Sequence, residues 1–170
     1  TVNAQHDITV TVFIAIAANP GVSPMPASLT FPPAGSDDLT AIDSLVRNAM
    51  AEHYLRHQLA WDSAAFRLRA ADTRFHWLQL GDARVGIIGH RLEASAVYLA
   101  ELHLLPAWQG RGLGTQALGW LRQQAAGRRE LRLRTFHDSR AVAFYVREGF
   151  EVVRQDGVLL GLACPLPPLG

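Results

Sequence analysis

In the stretch Gln109-Gly110-Arg111-Gly112-Leu113-Gly114, glycine occupies every second position between an apolar run and a segment of helical periodicity. Glycine admits left-handed torsions and lets a ligand approach the backbone closely. At a helix N-terminus the free N–H groups and the positive end of the dipole point the same way, so such a turn suits an anion. Strand, loop, helix and strand in succession also make a right-handed crossover with a parallel strand pair.

The surrounding periodicities fill in the architecture. Leu113, Ala117, Trp120, Leu121 and Ala125 recur at helical spacing, with Gly127 as a stop. Upstream, RFHWLQL, ARVGIIGHRL and SAVYLAELHLL alternate as three strands, the first pair joined by a hairpin turn at Gly81-Asp82. ELRLRTF predicts a strand with Leu131 and Leu133 inward and arginines outward. A helix over SRAVAFYVREGF, started by Asp138 or Ser139, and a hairpin around Asp156-Gly157 follow. Before these, SLTF predicts a short strand, Leu39 to Arg56 a helix capped by Ser36 or Asp37, and about Asp62 to Ala71 a weaker helix. Ile42, Leu45, Val46 and Ala49 form the apolar stripe of the longer helix. The class is mixed α/β (α+β).

Composition narrows the chemistry. The 170 residues carry a formal net charge of +1, so no bulk field favours nucleic acid or an acidic membrane. All 16 basic residues are arginine, which excludes a Schiff-base lysine and a Walker-type phosphate lysine. A dinucleotide fingerprint counted from Gly110 fails at Thr115, and no GxSxG nucleophile elbow occurs. The remaining pattern is Q-x-x-G-x-G. Cys164, the single cysteine, reads as a packed thiol and fits a reducing, cytoplasmic setting. No apolar run approaches the ~20 residues of a membrane span. Ile8 to Ala18 reads as a β-branched strand rather than a signal peptide.

With these residues in place, the chain resembles the GNAT superfamily of N-acetyltransferases, whose pyrophosphate loop has the form [Q/R]-x-x-G-x-[G/A]. YLAELHLLPAWQGRG is similar to the family's strand feeding that loop, and SRAVAFYVREGF to its final helix, with Tyr145, Gly149 and Phe150. SLTFPPAGSDDLTAI is similar to its first strand, turn and helix. The resemblance runs from about Ser28 to Ala163. It implies a central, mostly antiparallel sheet with one splayed parallel strand pair, flanked by helices. Residues 28–164 would be the acyl-CoA N-acyltransferase domain, 1–27 a strand-like extension and linker, and 165–170 a Pro-rich tail.

The resemblance also implies roles. Acetyl-CoA would be the cosubstrate, its pantetheine entering between Ala96–Leu105 and Leu131–Thr135 and pairing with backbone at Leu102 and Leu104. Backbone amides from Gln109 through Gly110, Arg111, Gly112 and Gly114 to Thr115 would hold the pyrophosphate, with no metal. Glu101 is the candidate base for a primary amine, directly or through a water, and His103, two residues on, is its competitor. A backbone N–H around Leu102–Leu104 would stabilise the oxyanion, and Tyr145 would protonate the departing thiolate. At the position seven residues before Tyr145, where many members carry Asn, this chain has Asp138, which reads instead as a helix cap.

His53 and His57 stand one helical turn apart, a spacing that can bind metal, but no third ligand accompanies them. They read as a polar helix face, or, with Tyr54 and Trp61, as lining the acceptor pocket. The acceptor is a small-molecule or peptide amine, and the N-terminal strand would allow a homodimer by adding to a sheet edge. A non-catalytic acyl-CoA-binding or partner-binding domain is the alternative function.

Overall fold

In the computed structural model, which describes residues 28–168, the alternating segments form one six-stranded sheet. The strands are β1 (Arg74–Leu80), β2 (Ala83–Leu92), β3 (Ala96–Leu104), β4 (Glu130–Phe136), β5 (Glu151–Asp156) and β6 (Leu159–Pro165). Their order is β1-β2-β3-β4-β6-β5, and every neighbouring pair is antiparallel except β3 and β4. The helices are α1 (Leu39–Arg56), α2 (Ser63–Ala70), α3 (Leu113–Gln124) and α4 (Ala141–Arg147).

Helices cover both faces of the sheet. Phe75 of β1 meets Phe66 of α2 with ring centroids 6.3 Å apart, while the adjacent His76 meets Trp120 of α3 at 4.7 Å. Neighbouring residues of a strand point to opposite faces, so α2 and α3 lie on opposite sides. β3 is buried almost throughout, as a central strand covered on both faces must be. In β4, Leu131 and Leu133 are buried and Arg132 is exposed.

Three local expectations are corrected. The SLTF strand is reduced to two isolated bridges, Thr30 with Gln79 and Pro33 with His76, on the outer edge of β1. Pro32 has no N–H, so its carbonyl accepts from Trp77 but it returns no bond, and the pairing resumes only where Ala34 N donates to Phe75 O at 2.9 Å. Neither Ser36 nor Asp37 caps α1; a 3-10 turn over Ser36–Asp38 leads into it, and Asp38 Oδ2 accepts from Gly35 N at 2.9 Å. The buried stripe of α1 continues past Ile42 and Val46 to Met50, His53 and Tyr54, whereas Leu45 and Ala49 are half-buried. The expected strand at Ile8–Ala18 and its linker lie outside the described residues.

The parting of β3 from β4 positions everything that follows. Backbone partners run from Ala96–Glu130 through Val97–Leu131 to Tyr98–Arg132 and go no further. At that point the β2–β3 register slips by one residue, Leu99 lying opposite His90 and Glu101 opposite Gly89, which makes Ala100 a bulge. A bulge bends its strand and raises the local twist, and this one falls where the β3–β4 pairing stops. β2 follows β3 so closely that a Cβ on Gly86 would overlap the His103 carbonyl oxygen. Gly86→Ala is therefore expected to cost about 1–3 kcal/mol of stability in urea unfolding. An unchanged midpoint would contradict that close approach.

Candidate active site

The loop after β3 is built from its own backbone. Leu105 N donates to Val85 O at 2.8 Å, which turns the Leu105 peptide groups toward β2. In an antiparallel pair these directions alternate, so the peptide groups of Leu102 and Leu104 face the parted side. The Leu104 carbonyl accepts from Gln109 Nε2 at 2.9 Å, and Gln109 N–H donates to Pro106 O at 3.3 Å across the 3-10 turn Pro106–Trp108. Gln109 thus ties the loop back to the strand that feeds it.

Beyond Gln109 the N–H groups from Gly110 to Thr115 meet no backbone acceptor among the described residues. Gly110 and Gly112 have φ of 72° and 76°, in the left-handed region, and Gly112 is the N-cap of α3. A Cβ built on Gly112 would meet nothing within 4 Å, so its surroundings are open. Gly114, by contrast, is a buried helical residue of α3. Six successive N–H donors at the positive end of a 12-residue helix form an anion cradle. The Arg111 guanidinium lies 4.9 Å over the Trp108 ring beside it. Thr115 Oγ1 donates to Glu148 Oε1 at 2.6 Å, and Arg122 Nη2 donates to the Glu148 carbonyl, joining α3 to the end of α4. The Thr115 hydroxyl is therefore engaged, and its backbone N–H is what it offers the cradle.

Glu101 and His103 share the face of β3 that alternation assigns them, and both are buried. His103 Nε2 lies 2.6 Å from Glu101 Oε2, so one proton lies between ring and carboxyl. Burial pulls the Glu101 carboxyl above the usual carboxylate range, and the His103 hydrogen bond offsets part of that. His103 Nδ1 has no partner among the described residues.

Tyr145 of α4 is buried with its ring edge-on to Phe144 and Phe150. Burial, and then the charge of Glu101, raise its phenol well above the ordinary value of 10.0. The same two influences raise Tyr54 of α1, against the opposing charge of Arg69. Glu101, Tyr54 and Tyr145 thus stand in one electrostatic neighbourhood, built from three separate elements.

Asp138 does not cap α4; Ser139 Oγ accepts from Ala141 N at 3.1 Å instead. The Asp138 carboxylate reaches across to the end of α1, 3.1 Å from Arg56 Nη1 and 3.0 Å from His57 Nε2. Nor are the two α1 histidines a solvated polar face. His53 is buried, and the rings of His53 and His57 both stack on Phe136, at 5.3 and 4.8 Å. Trp61 Nε1 donates to Asp43 Oδ1 at 2.8 Å. Among the described residues no group of three or more His, Cys, Asp or Glu side chains could hold a metal ion. No described helix is long and apolar enough to cross a membrane. Arg69, Arg91 and the Arg56–Asp138 pair were missed by sequence reasoning, because nothing local in the chain signals which arginines a fold brings to a distant carboxyl.

Residues 71–152 match the family model described as an acetyltransferase (GNAT) domain. Among solved structures, an acetyltransferase from Thermus thermophilus is 26% identical, with TM-score 0.67 over 82% of this chain and 97% of that one. The PaiA N-acetyltransferase from Thermoplasma acidophilum, solved in complex with coenzyme A, is 19% identical, with TM-score 0.64 over 81% of this chain and 99% of its own. The ribosomal-protein-S18-alanine N-acetyltransferase from Escherichia coli is 19% identical, with TM-score 0.65 over 84% and 96%. No curated protein sequence matches the chain.

The Asp138 clamp has a pH signature. Desolvation alone would raise this carboxyl, but hydrogen bonds from His57 and Arg56 outweigh it and hold it at about 2, below the ordinary 3.8. A depressed carboxyl stabilises the fold above its unfolded value and loses that contribution as pH falls through the folded one. Asp138→Asn is therefore expected to lower the melting temperature at neutral pH. The gap to wild type should close as the pH falls from about 4 toward about 2. A gap independent of pH would mean that charge is not what Asp138 contributes.

Proposed function

We propose that this chain, which belongs to the GNAT superfamily, is an N-acetyltransferase that moves an acetyl group from acetyl-CoA to a primary amine by direct attack on the thioester. The observation that carries this reading is a parted parallel strand pair that ends in a run of free N–H donors. An extended pantetheine arm requires the first and a pyrophosphate the second. The surroundings of Gly112 are open, so its backbone is accessible to a ligand. One of the similar folds was solved with coenzyme A.

In this reading the peptide groups of Leu102 and Leu104 pair with the pantetheine, and the N–H groups of Gly110 through Thr115, those of Arg111, Gly112 and Gly114 among them, hold the pyrophosphate. Gln109 keeps the loop closed on Leu104. Acetyl-CoA is a cosubstrate here, and no metal takes part in the proposed steps.

An alkyl ammonium, pKa near ~10, must lose a proton before its nitrogen can attack. Glu101 takes that proton, either directly or through a water, and His103 orients the carboxyl from 2.6 Å away. The freed amine adds to the thioester carbon. A backbone N–H facing the gap at Leu102 or Leu104 stabilises the oxyanion, the kind of preorganised donor that contributes most in acyl transfer. Collapse of the adduct breaks the carbon–sulfur bond, and the thiolate receives the phenolic proton of Tyr145. A phenol raised by burial stays protonated at neutral pH, as a general acid must.

Two outcomes check these roles. Tyr145→Phe is expected to lower kcat by about 100-fold or more with acetyl-CoA affinity unchanged, followed by thiol release and thermal shift. If the wild type is stabilised by acetyl-CoA yet releases no thiol with any amine, the chain only binds acyl-CoA. The acid limb of kcat/KM against pH is expected above the ordinary 4.5 of a glutamate, because the base must be ionised and burial raises it. Glu101→Gln should abolish that limb. A limb that survives the substitution would transfer the role to His103 or to another group.

A further inference from the structure

Glu101 borders a cavity of about 10 Å³ beneath α2, room for about one water, whose wall also includes Arg69 of α2 and Arg91 of β2. Ala70, Thr73 and Phe75 are shared between that cavity and a cleft of about 540 Å³, which lies between the start of α1, the end of α2 and β1. The cleft falls within the roughly 300–1,000 Å³ typical of small-molecule sites. Arg67 and Arg74 line it.

The charge of this region is lopsided. The linings of cavity and cleft hold four arginines and a single carboxylate, the buried Glu101. Among the described residues none of the four arginines forms an ion pair. Arg67 donates to the Thr40 hydroxyl, and Arg91 stacks 4.7 Å over Tyr98. His76, which also lines the cleft, is held below its ordinary value by burial and adds no charge at neutral pH. The charges of Arg69 and Arg91 are felt at Glu101 itself, where they favour the carboxylate.

We propose that the acceptor is an amine that also bears a carboxylate, which Arg69 and Arg91 hold at their half-exposed ends while the amine reaches the buried Glu101 through the one water that the cavity can hold. This rests on the transferase reading above. Guanidinium groups match a carboxylate in shape and charge, and a half-buried pair outside any ion pair with the protein is suited to a substrate anion. The same field repels polycations, so polyamines and aminoglycosides are disfavoured at this mouth. An amino acid satisfies both ends of the site. Its carboxylate meets the arginines and its ammonium meets the one buried acid through that water.

The test uses the full chain saturated with CoA, titrated calorimetrically with the common L-amino acids, each beside its carboxamide, and with spermidine. Thiol release from acetyl-CoA is followed with the same panel. At least one amino acid should bind roughly 10-fold or more tightly than its amide, the scale of a hydrogen-bonded charge pair. Arg69→Gln and Arg91→Gln should each remove most of that acid-over-amide preference, and Arg69→Lys should retain part of it. A cooperative thermal melt of each variant shows that it remains folded. The proposal is overturned if no acid binds more tightly than its amide, if spermidine binds better than every acid, or if the preference survives both arginine substitutions. Acid-selective binding without thiol release would sink the transferase reading and, with it, the acceptor role proposed here. Turnover of spermidine but of no acid would sink this proposal alone and leave the transferase reading standing.

Discussion

β3 and β4 share partners only as far as Tyr98 and Arg132, and the rest of the candidate site follows from that limit. Backbone groups inside a sheet are costly to leave unpaired, so strands of this kind part only where something holds them apart. Here the Ala100 bulge turns β3 while its other edge stays bound to β2 through Leu104. The consequence is an open strand edge at Leu102 and Leu104 inside an otherwise continuous sheet. The loop that follows continues the pattern, with donors from Gly110 to Thr115 aimed outward at the mouth of α3. The strand edge and the loop beyond Gln109 each leave N–H groups without a backbone acceptor among the described residues, which is what an extended, anionic ligand can satisfy.

The electrostatics of the interior complement that surface. Glu101 and Tyr145 are both buried, and both are pushed up by desolvation. A raised carboxyl is a stronger base toward an ammonium, and a raised phenol keeps its proton at neutral pH until a thiolate needs it. The His103 hydrogen bond, and then the charges of His103, Arg69 and Arg91, oppose part of the rise at Glu101. Asp138, by contrast, is held low by its partners on α1 and serves as a clamp between α1 and the end of β4.

Much of this is legible in the chain. Strands from Arg74 to Leu104 follow from alternation, and the helix from Leu39 to Arg56 follows to its ends from its periodicity. The contact of Glu101 with His103 follows from their spacing of two on one strand. What escapes depends on long-range partners. Asp138 looks like a cap until α1 brings Arg56 and His57 to it, and His53 looks polar until Phe136 stacks on it. The prolines at 32 and 33 are visible, but their effect on the SLTF pairing emerges only against β1. The approach of Arg69 and Arg91 to Glu101 joins three elements, and no local pattern encodes it.

The central claim is that the gap and the loop bind acyl-CoA through backbone groups, and amide hydrogen exchange measured with and without CoA tests it directly. The account predicts that CoA slows exchange at Gly110 through Thr115 and at Leu102 and Leu104, with little change across β1. Protection confined to other segments, or none at all at saturating CoA, would contradict it.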